Sequence, residues 1–287
     1  MKNRIILSVL FIFHISLFTL PAQAQRSLNN TFFGVTVEGG MNTMNYSSLH
    51  GERAGGFGYG VGAYLAYFPT RNIGFSLGLQ LSRVQASVTY NFSETTLGLT
   101  HPDNPGVYYD LTTDFDQWVE RQSARVLSLP VEFLWRVNME KMTLRGGIGA
   151  QVDLPHKGHY TAVEGSYTTT GYFPATGHTV ANQPQHGFGE YGAEKESDIS
   201  KLGIGVSLIA DLGVCWPLSS SMNLYVGFYG RYGLNNVLQE GRDNPLVVLD
   251  PANSAHSIYY GSFASQEVTD MNLFCVGIKV GLDFGSN

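Results

Sequence analysis

The sequence predicts an all-β fold: an eight-stranded antiparallel transmembrane β-barrel with long extracellular loops. Three observations predict it. Eight segments alternate apolar with polar residues, the connections between them alternate short with long, and aromatic residues gather at the segment ends. A period of two means a strand whose two faces meet different solvents.

The clearest strand spans 73–81, where Ile73, Phe75, Leu77, Leu79 and Leu81 point one way and Gly74, Ser76, Gly78 and Gln80 the other. The same pattern places strands at 31–41, 56–67, 73–91, 124–136, 142–154, 201–216, 222–236 and 269–284. Eight is even, as single-chain bacterial barrels require. The connections at 68–72, 137–141 and 217–221 are short, and those at 42–55, 92–123, 155–200 and 237–268 are long. All the long ones therefore fall on one side, outside the cell.

The N-terminus reads as a secretory signal over 1–24. Lys2 and Arg4 precede an apolar run from Ile5 to Leu20, and Ala22-Gln23-Ala24 offers a cleavage site, so the barrel domain is 25–287. No later stretch is apolar for long enough to be a membrane helix. Overall hydropathy is near zero, which suits a barrel because only alternate positions need be apolar. Removal of the signal leaves 15 basic against 23 acidic residues, about −8. That balance argues against nucleic acid as a partner. Cys215 and Cys275 fall on strands that are not expected neighbours, which disfavours a disulfide and a thiolate metal site.

Aromatic side chains fit the two interfaces of a bilayer. Phe33, Tyr67, Trp135, Trp216 and Phe284 form an expected periplasmic girdle, with Tyr59, Tyr90 and Tyr232 toward the other rim. The opposite strand face carries Glu38, Glu132, Arg145, Asp211, Arg231 and Lys279. In lipid each basic residue near the midplane would cost about 2–4 kcal/mol, so these six are expected inside, as a salt-bridge network in a filled lumen. Tyr64, Tyr225, Tyr229, Gln80 and Gln151 join them, with glycines such as Gly147, Gly149 and Gly227 making room. A soluble lipocalin-like barrel would invert the two faces. Two irregularities stand out: the alternation slips near Arg83 and Val84, where a β-bulge is expected, and Pro130 inside strand four calls for a bulge or a bridging water.

Leu127-Ser128-Leu129-Pro130-Val131-Glu132-Phe133-Leu134-Trp135-Arg136 resembles the L-x-I-P-L-L-L-K strand of the outer-membrane β-barrel family that includes PorT-like proteins. Arg231-Tyr232-Gly233-Leu234-Asn235-Asn236-Val237 is similar to that family's R-Y-x-x-G-L-x-N-I strand end, with tighter spacing, and the glycine-rich strand around Gly146, Gly147 and Gly149 fits too. The resemblance covers roughly 31–284 and leaves 92–123 and 155–200 unmatched. It implies outer-membrane localisation, outer-membrane lipid as surroundings and, for some members, service to a secretion system. The final Gly277-Ile278-Lys279-Val280-Gly281-Leu282-Asp283-Phe284 resembles the C-terminal signal read by the barrel-insertion machinery.

The mature histidines all lie in expected loops. His156 and His159 with Asp153 and Glu164 match no strong metal spacing, and His256 with Ser254 and Asp250 has no nucleophile motif around it. The expectation is no metal, no cofactor and no catalytic residue. A structural, adhesive or secretion-accessory role follows, with a rim-site enzyme and a small pore as alternatives. The segment 155–200, with Tyr160, Tyr167, Tyr172, Phe173 and Tyr191, suits an extended hairpin with a mobile tip that meets a protein or glycan partner.

Overall fold

A computed structural model of the protein describes residues 30–102, 104–193, 196–199, 202–238 and 244–285. The expected signal segment 1–24 lies outside them. Among the described residues, eight antiparallel strands close into one ring: β1 (Thr31–Ser48), β2 (Phe57–Tyr67), β3 (Ile73–Tyr90), β4 (Asn104–Asn138), β5 (Thr143–Phe173), β6 (Gly205–Ser219), β7 (Met222–Gly233) and β8 (Val268–Phe284). Each strand pairs with its neighbours in the chain, and β8 returns to β1 from Phe33–Phe284 up to Ser48–Val268. Closure satisfies every ladder within the ring and leaves it no bare edge.

In the lower half, next to the short turns, the apolar side chains face outward. Leu79 is 52% exposed, and Val37, Val61, Val131, Ile148, Leu212, Phe228 and Ile278 are exposed with it, while Glu38, Ser76, Gln151 and Arg231 are buried inside. This is the reverse of a soluble barrel and excludes the lipocalin-like arrangement for this half.

The upper half is built the other way. The slip near Arg83 and Val84 is not a bulge: β3 keeps one register against β4 from Ile73–Trp135 to Tyr90–Trp118. Ser76 and Ser82 face inward, and so do Val84, Ala86, Val88 and Tyr90 on the same strand face. The face does not change; its chemistry does. Above the lipid the outside meets water, so the apolar residues move to the interior and pack as a core. Tyr90, expected at the outer rim, is accordingly buried in that core, whereas Tyr59 and Tyr232 remain exposed. A real irregularity lies on β5, where Val126–Pro155 is followed by Ala124–Gly158, one residue extra on the β5 side.

Long connections turn out to be largely strand. β4 and β5 continue far above the belt and stay paired up to Asp110–Tyr172. The chain then returns along β5 in short pieces, His178–Val180, Glu190–Gly192 and Glu196–Ile199, before β6 begins. The expected hairpin above strands five and six is therefore present, and β4 joins it as a third member. On the other side Ser93–His101 pairs with β4. Alternation was weak there because the wetted outward face accepts Tyr and Thr and the buried inward face mixes Thr113 and Glu120 with Tyr109, Leu111 and Phe115.

Pro130 produces neither shift nor bulge. The β3–β4 ladder passes from Leu77–Val131 to Gln80–Ser128 in unchanged register, and the proline ring faces inward beside Gly78. A missing donor is tolerated where glycine leaves room for the ring.

Adjacent residues separate the two descriptions of β3. Val88 pairs with Glu120 and is buried, while Ser87 pairs with Arg121 on the outward face. Val88→Asp buries an unpaired carboxylate and is expected to cost about 3–5 kcal/mol in denaturant titrations of the refolded barrel. Ser87→Asp is expected to stay within about 0.5 kcal/mol. The reverse order would restore the bulge.

Candidate functional site

Side chains that the two inner faces bring together form two stacked sites: a polar lumen within the belt and an aromatic core above it. In the lumen, Glu38 on β1 and Arg231 on β7 meet with Nη2–Oε1 at 3.3 Å. Arg231 also donates to Gln80 Oε1 at 3.0 Å and to Ser82 Oγ at 3.4 Å. Lys279 on β8 reaches Asp211 on β6 at 3.3 Å, and Tyr225 donates to the same carboxylate at 2.8 Å. Arg145 on β5 pairs instead with Asp283 at 2.5 Å and lies 4.2 Å above the Tyr225 ring. Tyr64 donates to Asp283 as well.

The expected match of three acids with three bases is thus not the one found. Glu132 accepts from Ser76 Oγ at 3.0 Å, and Asp283, not among the six, takes Arg145. A second acid missed from the sequence is Asp153, fully buried, which accepts from Ser128, Gln151 and Ser207. Strand parity was the available signal: both acids share the inward phase of Gln151 and Lys279, but each stood at the edge of an expected strand.

Bulk fills what the charges leave. The tyrosines are accommodated by backbone close to the wall; a Cβ on Gly34 would overlap the Tyr64 ring, and one on Gly227 the Tyr225 hydroxyl. The residual cavity at the level of Glu38, Glu132 and Lys279 is about 50 Å³, room for little more than a water or two.

The five girdle aromatics stand where the short turns are. Phe33, Tyr67, Trp216 and Phe284 are exposed on the outside, with Phe33 and Phe284 stacked across the closing seam at 6.4 Å, and Trp135 is half-buried at the same end. Both cysteines are free and buried.

Above the belt, Trp118 contacts Tyr259 at 5.0 Å and Tyr167 at 5.1 Å, and Phe115 stacks on Phe92 at 5.3 Å. Each such aromatic pair adds about 0.5–1.5 kcal/mol beyond its buried area. Glu120 is wholly buried among these rings. It accepts from Tyr259 Oη at 2.5 Å, Gln122 Nε2 at 2.6 Å and Ser262 N at 3.0 Å. These bonds pin the segment 253–268 onto the core. His50 stacks on Phe92 at 4.4 Å and meets Glu267 at 2.8 Å, tying the end of β1 to the start of β8.

The loop histidines do not assemble a centre. His156 and His159 face outward while Asp153 faces the lumen: His156 shares the outward parity of Val152, and the bulge on β5 turns His159 out as well. Among the described residues no group of three metal-ligating side chains converges. Asp250 accepts from Ala252 N at 2.8 Å in its own turn, and His256 is exposed.

A closed ring with an apolar exterior, an aromatic rim and a filled polar lumen defines a transmembrane β-barrel of the outer-membrane type. No family model matches the chain, and no curated protein does. Among solved structures the chain is similar to Neisserial surface protein A, with 8% identity over 90% of this chain and 97% of that one and a TM-score of 0.38. A major outer membrane protein from Thermus thermophilus gives 11% identity over 88% and 98%, TM-score 0.37. The attachment invasion locus protein of Yersinia pestis gives 10% over 89% and 99%, TM-score 0.31. The architecture of this chain rests on its own strand pairing.

Two outcomes follow. Arg231→Met strands Glu38 in the lumen and is expected to cost about 3–5 kcal/mol in folding titrations, most of it recovered by Glu38→Leu in the same chain. Burial raises the Glu120 carboxyl above its ordinary range. Its contribution to stability is full below the unfolded value and is lost as pH rises through the folded one. Thermal stability of the upper half should therefore rise as pH falls toward the ordinary carboxylate range, and Glu120→Gln should flatten that dependence.

Proposed function

We propose that this chain is a non-enzymatic protein of the bacterial outer membrane whose upper half presents a recognition surface to an extracellular protein or glycan. The observation that carries the reading is the packed core around Trp118, Tyr167 and Tyr259. A barrel needs no hydrophobic core above the bilayer merely to span it; such a core holds β4, β5 and the returning strands rigid in water. Rigid presentation lowers the ordering cost of binding. Tyr108 and Tyr172 stand exposed on that extension as aromatic anchors.

A small pore is disfavoured by a mid-lumen cavity of only about 50 Å³, and a rim-site enzyme by Asp250, whose carboxylate accepts from Ala252 N in its own turn, with His256 exposed. The PorT-like kinship remains part of the proposal, supported by Leu127–Arg136 with its inward proline, and with it a secretion-accessory role as the second reading. Assembly through the insertion machinery is supported by β8, which closes the ring on both sides.

A photo-crosslinking residue at Tyr108 or Tyr172 in intact cells is expected to capture an extracellular protein or glycan, with Leu77 as a lipid-facing control. Capture of a secretion component would shift the role to export. Purified protein in planar bilayers is expected to give no steady conductance; well-resolved openings would overturn the closed lumen.

A further inference from the structure

The outward faces of β3, β4 and β5 change character at one height. On β3 the apolar series ending at Leu81 is followed at the next outward position by Arg83. On β4 the series from Phe133 to Leu127 is followed by Arg125, and on β5 Ile148 and Val152 are followed by His156, at the bulge, and His159. On β8 the corresponding series passes from Val276 and Phe274 to the uncharged Asn272, which bonds to Asn45. The cationic rim is therefore local.

Arg83 and Arg125 lie directly opposite each other in the ladder, and both are exposed. Like charges in that position destabilise a strand pair. Among the described residues no carboxylate forms an ion pair with either arginine. Arg83 is held by the Gln85 side-chain carbonyl, which accepts from Nε at 3.0 Å and Nη2 at 3.2 Å in its favoured orientation. Glu196 stands 3.7 Å from His159 on the upper side. Together Arg83, Arg125, His156 and His159 border a surface recess of about 410 Å³.

We propose that this recess binds the phosphate groups of an outer-leaflet glycolipid whose acyl chains lie along Leu79, Leu81, Leu127 and Leu129. An arginine pair offers planar forks to a phosphate and is relieved of its own repulsion by the bound charge. The lipid is the fitting source because the recess opens at the edge of the apolar belt, where headgroups stand, and each basic residue there gains from an anionic surface. This inference rests on the placement of the belt in a bilayer and is independent of the recognition role proposed for the upper half.

Native mass spectrometry of the full chain in detergent tests it, with three probes: diphosphorylated lipid A, the same lipid with its phosphates removed, and inorganic phosphate. The phosphorylated lipid should bind roughly 10–30-fold more tightly than the dephosphorylated one, and inorganic phosphate should not compete. The variant R83Q/R125Q should lose that preference while keeping the heat-shifted gel mobility of a folded barrel. Equal binding of both lipids, competition by free phosphate at matching concentration, or an unchanged preference in R83Q/R125Q would each overturn the proposal. If the variant does not fold, the comparison of the two lipids on the native chain decides it.

Discussion

A strand that leaves lipid for water must exchange the partners of both its faces, and the rest of this molecule depends on how it does so. Inside the bilayer only the outer face can be apolar, so charge and tyrosine collect within the ring. Beyond the bilayer the outer face is wetted, and the hydrophobic effect returns the apolar side chains to the interior. β3 carries the whole transition without a break in register: Ser76 and Ser82 below, Val84 and Val88 above, on one continuous face. One ladder thus supports two interiors of opposite chemistry.

The lower interior gains its order from pairing. Arg231 with Glu38, Lys279 with Asp211 and Arg145 with Asp283 each join strands that are not ladder partners, bridging one or two intervening strands. In a medium of low polarity such pairs need hydrogen bonding to offset desolvation; Gln80, Ser82, Tyr64 and Tyr225 supply much of it, while the Nε groups of Arg145 and Arg231 stay buried without a partner. Acids outnumber bases there among the described residues, since Glu132 and Asp153 add to the three paired carboxylates; hydroxyl and amide donors take the surplus. The upper interior gains its order from packing, with Glu120 set among aromatic rings and held by Tyr259, Gln122 and Ser262.

Much of this was legible in the residues. The outward series on β3 and β4, the girdle positions and the inward parity of Glu38, Asp211, Arg231 and Lys279 follow from a period of two. Other features were not. The apparent slip at Val84 looked like an added residue because periodicity reports which positions are apolar, not which solvent lies outside. Asp153 and Asp283 sat at strand ends, where parity has too few neighbours to be read, and the choice of Asp283 over Glu132 for Arg145 depends on height around a tilted ring. The strand character of 104–123 and 155–173 was hidden because sheets wetted on their outside need no strict alternation.

By itself the sequence determined a closed barrel, its orientation and the chemistry of the face turned to lipid, since those follow from local alternation and the lengths of connections. Only the tertiary structure decided where the interior changes from charged to aromatic, which charges meet, and how Arg83, Arg125 and His156 come to share one rim. These depend on stagger and bulges between strands distant in the chain, and no local period records them.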